Sequence, residues 1–454
     1  MRLSRFRHLR SISIAAIDIV TIIAVIAIAY IWRIGDAPDL SDAEFWLITA
    51  TFMGVLFICG TYFKERSSEL PSLPVRTFFV CLTGGLLCIF WLYLLGPDAF
   101  NDYFGRGILP ISTVTIGIFT TLSRFVVNRL YHAQESEHRV LYLGFSNSTH
   151  NFFQELNNHN NVREVSVVSD ECPPQLPSNV SYIELSQLPQ QLREAWQSVI
   201  IDPQFHPNPQ QQAALVAAKL AGTNVGTLAD YYETNWFQIP IYDIGNDWFL
   251  RSSGFSVLAS SSAKRIKRLI DVLLATIVLA ISTPLIMVFG IIVKLESKGS
   301  MLYSQSRVGL NGRLFTIYKL RTMRSDTRAS KAQWASEDDP RITRVGRFLR
   351  KSRIDELPQA WNVLVGDMSF VGPRPEQPEF TEWLAQEIPF YDLRHQVKPG
   401  ITGWAQVIFA YGASKEDAIK KLQYELYYIK HQSLLFDLNI LLRTITTIAQ
   451  RSGR

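Results

Sequence analysis

The sequence predicts a composite membrane protein with three parts: an N-terminal bundle of four transmembrane helices, an α/β Rossmann-like domain, and a C-terminal, mainly α domain. The last part carries a hairpin that enters the membrane and returns. Three observations carry this prediction. Four apolar runs of bilayer length crowd the N-terminal third; short β-rich runs alternate with helix-like runs across 139–252; and a fifth apolar run near residue 280 has basic clusters on both sides. A chain of 454 residues has room for two to four such units. Its net charge of +5, its mean hydropathy of +0.08 and its 12% aromatic residues fit a membrane protein with cytoplasmic parts better than a soluble enzyme.

The first unit is assigned to 1–132. Its apolar runs cover about 11–34, 43–63, 77–96 and 107–127, each near the roughly 20 residues that a bilayer core requires. "MRLSRFRHLR" and the run after it resemble a secretory signal. That run exceeds twenty residues without an Ala-x-Ala-like site, so it reads as a retained anchor. Lys and Arg concentrate in "MRLSRFRHLR", "KERSSELPSLPVR" and "SRFVVNRLYHAQESEHR", whereas "GDAPDLSDAE" and "GPDAFNDYFGRG" are poor in them. The positive-inside rule then places both ends of the unit in the cytoplasm. Asp18 fits two readings, a functional intramembrane acid or a carboxylate reaching the headgroups. Cys59, Cys81, Cys88 and Cys172 include no closely spaced pair, which argues against a disulfide framework or a zinc site.

The second unit is assigned to 139–252. "RVLYLGF", "REVSVVS" and "SVIIDP" alternate with helix-like "NFFQELNNH" and "QQAALVAAKLAG", the pattern of a parallel sheet. Where a dinucleotide-binding turn would fall, "LYLGFSNSTHNFFQEL" offers Gly144 alone. Without the other glycines of G-x-G-x-x-G, a regulatory or assembly role is favoured over cofactor binding.

The third unit is assigned to 264–454, with the membrane hairpin at 267–294. "KRIKRLIDVLLATIVLAISTPLIMVFGIIVKLESKG" is long enough to cross a bilayer once. Lys264, Arg265, Lys267 and Arg268 precede it, and fifteen Lys or Arg against five Asp or Glu follow between Lys294 and Arg353. A crossing would put that basic region outside, against the positive-inside rule. Thr283 and Pro284 lie mid-segment, where proline removes a backbone donor, so a helix–break–helix is expected. An ordinary kinked spanning helix is the alternative.

The chemistry-bearing residues follow the hairpin. "YSQSRVGLNGRLFTIYKLRTMRSD" sets Arg307, Lys319 and Arg321 around a glycine turn. Such cations suit a diphosphate, and beside a membrane they suit anionic lipid equally well. In "ITRVGRFLRKSRIDELPQAWNVLVGDMSFVGPRP", Arg344, Arg347, Arg350 and Lys351 would form a cationic helix face. Ser352 to Asp355 fits a helix-capping signal, which leaves Glu356 and the rigid "GPRP" around Arg374 unexplained. A carboxylate pair among cations also suits metal-assisted phosphoryl transfer. "VKPGITGWAQV" reads as a compact loop, "EDAIKKLQYELYYIKHQ" as an amphipathic helix, and "SLLFDLNILLRTITTIAQR" as a helix lying in the membrane interface.

Together these motifs resemble the bacterial sugar transferases, the polyprenyl-phosphate hexose-1-phosphate transferases, in their long monotopic form. The resemblance runs from about Lys264 to the C-terminus through "KRLIDV", the proline-broken segment, "YKLRTM", "RIDELPQ", "GDMSFVGPRP" and "KPGITGWAQV". Thr283 stands where that family usually has Ser, and Leu320 where Phe is usual. The resemblance implies Asp355 as nucleophile, Glu356 as its partner, Mg²⁺ at this pair, and Arg374 helping to hold the nucleotide. Arg307, Lys319, Arg321, Lys267 and Arg268 complete the expected substrate-binding set. The implied reaction moves hexose 1-phosphate from a UDP-sugar, glucose or galactose preferred, to undecaprenyl phosphate through a covalent aspartyl phosphosugar. It would open exopolysaccharide, capsule or O-antigen synthesis on the cytoplasmic face of a bacterial inner membrane. A lipid bilayer and a second copy of the chain are the other expected partners, and nucleic acid is not. A non-catalytic scaffold binding anionic lipid or an export partner is the rival reading.

Overall fold

A computed structural model describes residues 2–449 apart from 37, 40, 60, 62–72, 96–107, 133–138, 158–161, 163, 174–175, 195, 256–259, 325–338, 410–411 and 413. Much of the loop sequence used above for orientation, 64–72 and 96–107 in particular, lies outside the described residues. The chain divides into two compact units, Met1–Gly226 and Thr227–Arg454.

In the first unit all four apolar runs are helical: α1 (Arg2–Ile34), α2 (Ala43–Ile58), α3 (Leu73–Leu95) and α4 (Ile108–His132). They share one apolar core, in which Ile22 and Ile26 of α1, Phe45 and Phe52 of α2, Cys81 and Cys88 of α3 and Ile116 of α4 are buried. Ile12–Arg33 and Leu109–Val127 are each long and apolar enough to cross a membrane, while the apolar stretches of α2 and α3 are shorter.

Asp18 does not reach outward to the headgroups. It is fully buried and accepts two hydrogen bonds from Arg124 of α4, Nη1 to Oδ1 at 2.8 Å and Nη2 to Oδ2 at 2.7 Å. Arg124 Nη2 also donates to Thr61 Oγ1 at 3.1 Å. An acid in apolar surroundings needs a cation at hydrogen-bonding range, and the sequence supplies it 106 residues away.

The same unit holds a five-stranded sheet, β1 (Arg139–Leu143), β2 (Glu164–Ser169), β3 (Val180–Glu184), β4 (Ser198–Ile201) and β5 (Asn224–Thr227), in the order β3-β2-β1-β4-β5. β1 pairs in parallel with both β2 and β4, so the strand order reverses at β1. Helices α5 (Asn147–Asn157) and α6 (Pro209–Leu220) connect strands, and α6 starts on a capping box of Asn208 and Gln211.

The sequence reading carries the α/β domain to residue 252, but its strands end at Thr227, and the next stretch packs within the second unit. There Glu233 pairs with Lys430 and His431, Phe237 packs edge-on against Trp404 and Tyr427, and Phe255 N donates to Lys430 O.

The fifth apolar run forms one helix, α7 (Ser261–Glu296), with Pro284 inside it. The expected break at Thr283–Pro284 is therefore not an interruption of helical structure. Thr283 Oγ1 donates to Leu279 O at 2.6 Å, a local bond that accompanies helix bending. The middle of α7 is exposed and apolar, with Ile277, Ile281, Met287 and Val288 all facing outward. Both ends are anchored within the unit. Ala275 joins a cluster with Ile317, Val363 and Met368, and Val293 joins one with Leu320 and Leu349. Each buried Val, Leu or Ile there contributes about 1.5–3 kcal/mol.

The rest of this unit comprises the antiparallel hairpin β6 (Leu302–Val308) and β7 (Leu314–Leu320), helices α8 (Arg344–Ser352) and α9 (Gln359–Val365), strand β8 (Ser369–Val371), helix α10 (Pro378–Glu387) and strand β9 (Gly400–Thr402), which is parallel to β8. Helices α11 (Trp404–Ile408), α12 (Lys415–His431) and α13 (Leu434–Ala449) complete it. The final helix, foreseen as interfacial, buries Phe436, Asp437, Asn439 and Ile440.

Candidate active site

The acidic pair sits where a helix stops. Helix α8 ends at Arg353, whose φ of +57° is left-handed, and a single 3₁₀ turn, Ile354–Glu356, follows. That conformation costs a non-glycine residue roughly 1 kcal/mol or more, and it turns two consecutive carboxylates inward. Asp355 is 7% exposed and Glu356 8%. The capping explanation of Asp355 does not hold: Ser352 closes α8, its Oγ donating to Phe348 O at 2.9 Å and Leu349 O at 3.2 Å.

Three cations converge on one oxygen of Glu356. Arg374 Nη2 lies 2.9 Å from Oε1, Lys319 Nζ 3.1 Å and Arg353 Nη1 3.7 Å. β7 brings Lys319, through a hairpin whose turn uses left-handed Asn311 and Gly312. Arg374 comes from the "GPRP" loop after β8 and also donates, through Nη1, to Gln406 Oε1 at 3.1 Å. This loop lies against β9 so closely that a Cβ on Gly400 would stand 2.1 Å from Gly372 N. Only glycine fits there.

Asp355 differs from its neighbour. Its Oδ1 is buried and has no hydrogen-bond partner among the described residues. Burial first, and then the adjacent Glu356 charge, raise its pKa to about 6. Burial works against ionisation of Glu356 too, but Lys319, Arg374 and Arg353 outweigh it and hold that carboxyl well below the usual range. One carboxylate is thus neutralised in place, and the other keeps an oxygen open.

The remaining sequence candidates have other partners. Arg321 donates to Ser297 O at 2.6 Å and Lys298 O at 2.9 Å, capping the C-terminal end of α7. Arg268 does the same for α9 through Val363 O at 2.5 Å and Leu364 O at 2.7 Å. Lys267 pairs with Asp437 at 2.6 Å. Arg307 donates to Pro375 O at 3.2 Å and lies 3.7 Å from Glu376. Of the six cations proposed to bind substrate, Lys319 and Arg374 reach the acidic pair. Sequence reasoning missed Arg353 and Gln406, although both lie inside motifs it quoted, "RIDELPQ" and "KPGITGWAQV".

The α/β domain presents a different picture at its strand-order switch, where such sheets bind nucleotides. Asp202, after β4, accepts hydrogen bonds at Oδ2 from Tyr142 OH, Ser146 Oγ and Thr149 Oγ1 at 2.9, 2.7 and 3.1 Å. Gly144 has a φ of +97°, and a Cβ there would meet Asp202 and Phe205 at 2.9 Å. Three hydroxyls thus fix the Asp202 carboxylate beside the turn that follows β1.

Comparison with known proteins centres on the second unit. The bacterial sugar transferase family profile matches residues 262–451. A UDP-N-acetylgalactosamine-undecaprenyl-phosphate N-acetylgalactosaminephosphotransferase of Aeromonas hydrophila is 48% identical over 198 residues, covering 44% of this chain and 47% of the relative. UDP-glucose:undecaprenyl-phosphate glucose-1-phosphate transferases of Escherichia coli and Caulobacter vibrioides are 41% and 42% identical, each over 40% of this chain and over 39% and 69% of the relative. The chain thus matches less than half the length of the Aeromonas and Escherichia relatives.

Proposed function

We propose, from the premise that this chain belongs to the bacterial sugar transferase family, that it transfers a sugar 1-phosphate from a UDP-sugar to a polyprenyl phosphate and releases UMP. The observation that carries the reading is the division of labour in the acidic pair: among the described residues, three cations offset the charge of Glu356, and Asp355 keeps a buried oxygen without a partner.

Asp355 attacks the sugar-linked phosphorus of the UDP-sugar. A bond forms between its carboxylate oxygen and that phosphorus, the bond from phosphorus to the bridging oxygen breaks, and UMP leaves with the electron pair. An oxygen of the polyprenyl phosphate then attacks the same phosphorus and returns Asp355 as a carboxylate. One pyrophosphate is exchanged for another, and two anionic substrates use the site in turn. A carboxylate with a pKa near 6 is mostly ionised at neutral pH and more basic than an ordinary aspartate. Glu356 holds Lys319 and Arg374 at the place where the diphosphate arrives.

The pair fits Mg²⁺. No group of three or more His, Cys, Asp or Glu side chains gathers among the described residues. Two carboxylates with the remaining positions left to phosphate and water match the usual preference of this ion. Asp355 and Glu356 would hold it, and when bound it would offset charge on the diphosphate.

The membrane reading is part of the same proposal. α1 to α4 form a transmembrane bundle in a bacterial inner membrane, and α7 enters the bilayer and returns to the cytoplasmic face. Ala275 and Val293 are about 27 Å apart along a straight helix at 1.5 Å per residue. The clusters they join hold Ile317 and Leu320, about 10 Å apart on one strand. A bend at Pro284 reconciles the two lengths and supports the hairpin. Such a hairpin keeps the site at headgroup depth, where the lipid phosphate is met without extracting its chain at about 0.8 kcal/mol per CH₂. Relatives named for glucose and for N-acetylgalactosamine transfer keep both sugars in play.

The test is UMP release by the full chain in bilayer nanodiscs, with polyprenyl phosphate and a panel of UDP-hexoses and UDP-N-acetylhexosamines. One donor is expected to yield UMP, and Asp355→Asn none. No UMP from any donor, or undiminished release by the variant, sinks the proposal.

A further inference from the structure

Arg374 is held at its guanidinium by Glu356 and Gln406, but its backbone needs support as well. Pro373 and Pro375 flank it, and neither has an N–H to tie the loop to a neighbouring strand. The support comes from outside the loop. Pro373 O accepts from Gly400 N at 2.8 Å, Arg374 O from Arg394 Nη2 at 2.9 Å, and Pro375 O from Arg307 Nη1 at 3.2 Å.

Arg394 is the one that grips Arg374 itself. It lies on a 3₁₀ turn, Tyr391–Gln396, and is 4% exposed. Its Nε and Nη2 form a fork on Glu425 Oε2 and Oε1 at 2.9 and 2.8 Å, and Nη1 donates to Tyr391 OH at 2.7 Å. Glu425 stands on α12 and is also buried. A buried ion pair is weak evidence for stability, because apolar residues of the same volume often do as well. Here the fork has a further product, the bond to the Arg374 carbonyl. From Glu425 the chain of contacts runs through Arg394 and Arg374 to Glu356 without a gap.

We propose that the Arg394–Glu425 pair positions the transfer machinery: it fixes the Arg374 carbonyl, and through it the seat of the Arg374 guanidinium on Glu356. The inference rests on the transferase reading above. Arg394 does not touch the acidic pair, so it acts through Arg374, as a positioning residue. An ångström of misplacement in such a site costs up to about 100-fold in rate.

A double-mutant cycle tests this. Arg394→Lys keeps a cation beside Glu425, but a point ammonium cannot serve both Glu425 oxygens and the Arg374 carbonyl as the planar fork does. The expected result is a fall in kcat of about 10- to 100-fold in the wild-type background, and of less than about twofold when Arg374→Ala is already present. Equal losses in both backgrounds, or no loss in either, overturn the proposal, since a structural role is indifferent to Arg374. If Arg394→Lys lowers the unfolding temperature, Arg394→Met with Glu425→Leu removes both charges and runs the same cycle with the same two outcomes. A wild-type chain releasing no UMP removes the transferase reading and this inference with it. An active wild type with an unaffected Arg394→Lys variant removes the inference alone.

Discussion

Lys319→Met removes one of the three cations on Glu356 and leaves its aliphatic stem in place. At 3.1 Å and an effective dielectric constant of 20, the pair interacts by about 5 kcal/mol. Lys319 is 20% exposed at its side chain, and Arg374 and Arg353 remain, so about 2–3 kcal/mol is the expected effect. That corresponds to roughly 30- to 150-fold in kcat if the cation acts on the developing charge of the transition state. Losing a cation also makes both carboxylates harder to ionise, which raises their pKa. Activity falls as Asp355 takes up a proton, and Lys319 is one of the charges that favour its ionised form, so the acid limb of the variant lies at higher pH than that of the wild type at the same Mg²⁺ concentration. UMP release measured from pH 5 to 9 gives both quantities. A variant with wild-type kcat and an unmoved acid limb would refute the electrostatic account of the pair.

Three further outcomes follow from packing. Asp18→Asn leaves Arg124 without its buried counter-charge and should cost about 3–5 kcal/mol in thermal unfolding, much of it recovered by Asp18→Leu with Arg124→Met; an unchanged midpoint contradicts the pair's role. Gly400→Ala drives a Cβ into Gly372 N and Thr402 O, so folded, active protein should be lost, and an active variant would show that the β8–β9 contact is looser than described. Titration calorimetry of the full chain with NAD or FAD should give no heat, because the turn after β1 has Gly144 alone of the dinucleotide-binding glycines and the Asp202 carboxylate beside it would repel a diphosphate; measurable binding would overturn that reading.

The helical runs, the parallel sheet, the β6–β7 hairpin and the acidic pair were all legible in the sequence, because each rests on local periodicity or a short motif. Long-range partners were not. Nothing near Asp18 announces Arg124, and no spacing rule tells which arginines cap helices and which reach a carboxylate. Arg321 and Arg268 end on backbone carbonyls, whereas Arg374, no more basic in its surroundings, reaches Glu356. The end of the α/β domain, expected at 252, is hard to read for a similar reason. The described strands end at Thr227, and the aromatic and ionic partners of Phe237 and Glu233, namely Trp404, Tyr427 and Lys430, lie far along the chain. The break expected at Pro284 is not seen as an interruption of the helix, because a helix can absorb one missing donor by bending.

The central claim is that Asp355 carries the phosphosugar between donor and lipid. The most direct measurement is incubation of the full chain with UDP-sugar labelled at the sugar-linked phosphorus, with polyprenyl phosphate left out. Label on the protein, one UMP released per site, loss of the label in Asp355→Asn and its discharge on adding polyprenyl phosphate are the predicted results. Turnover that proceeds with lipid, while without it neither labelled protein nor UMP ever forms, would contradict the account and leave direct attack by the lipid phosphate in its place.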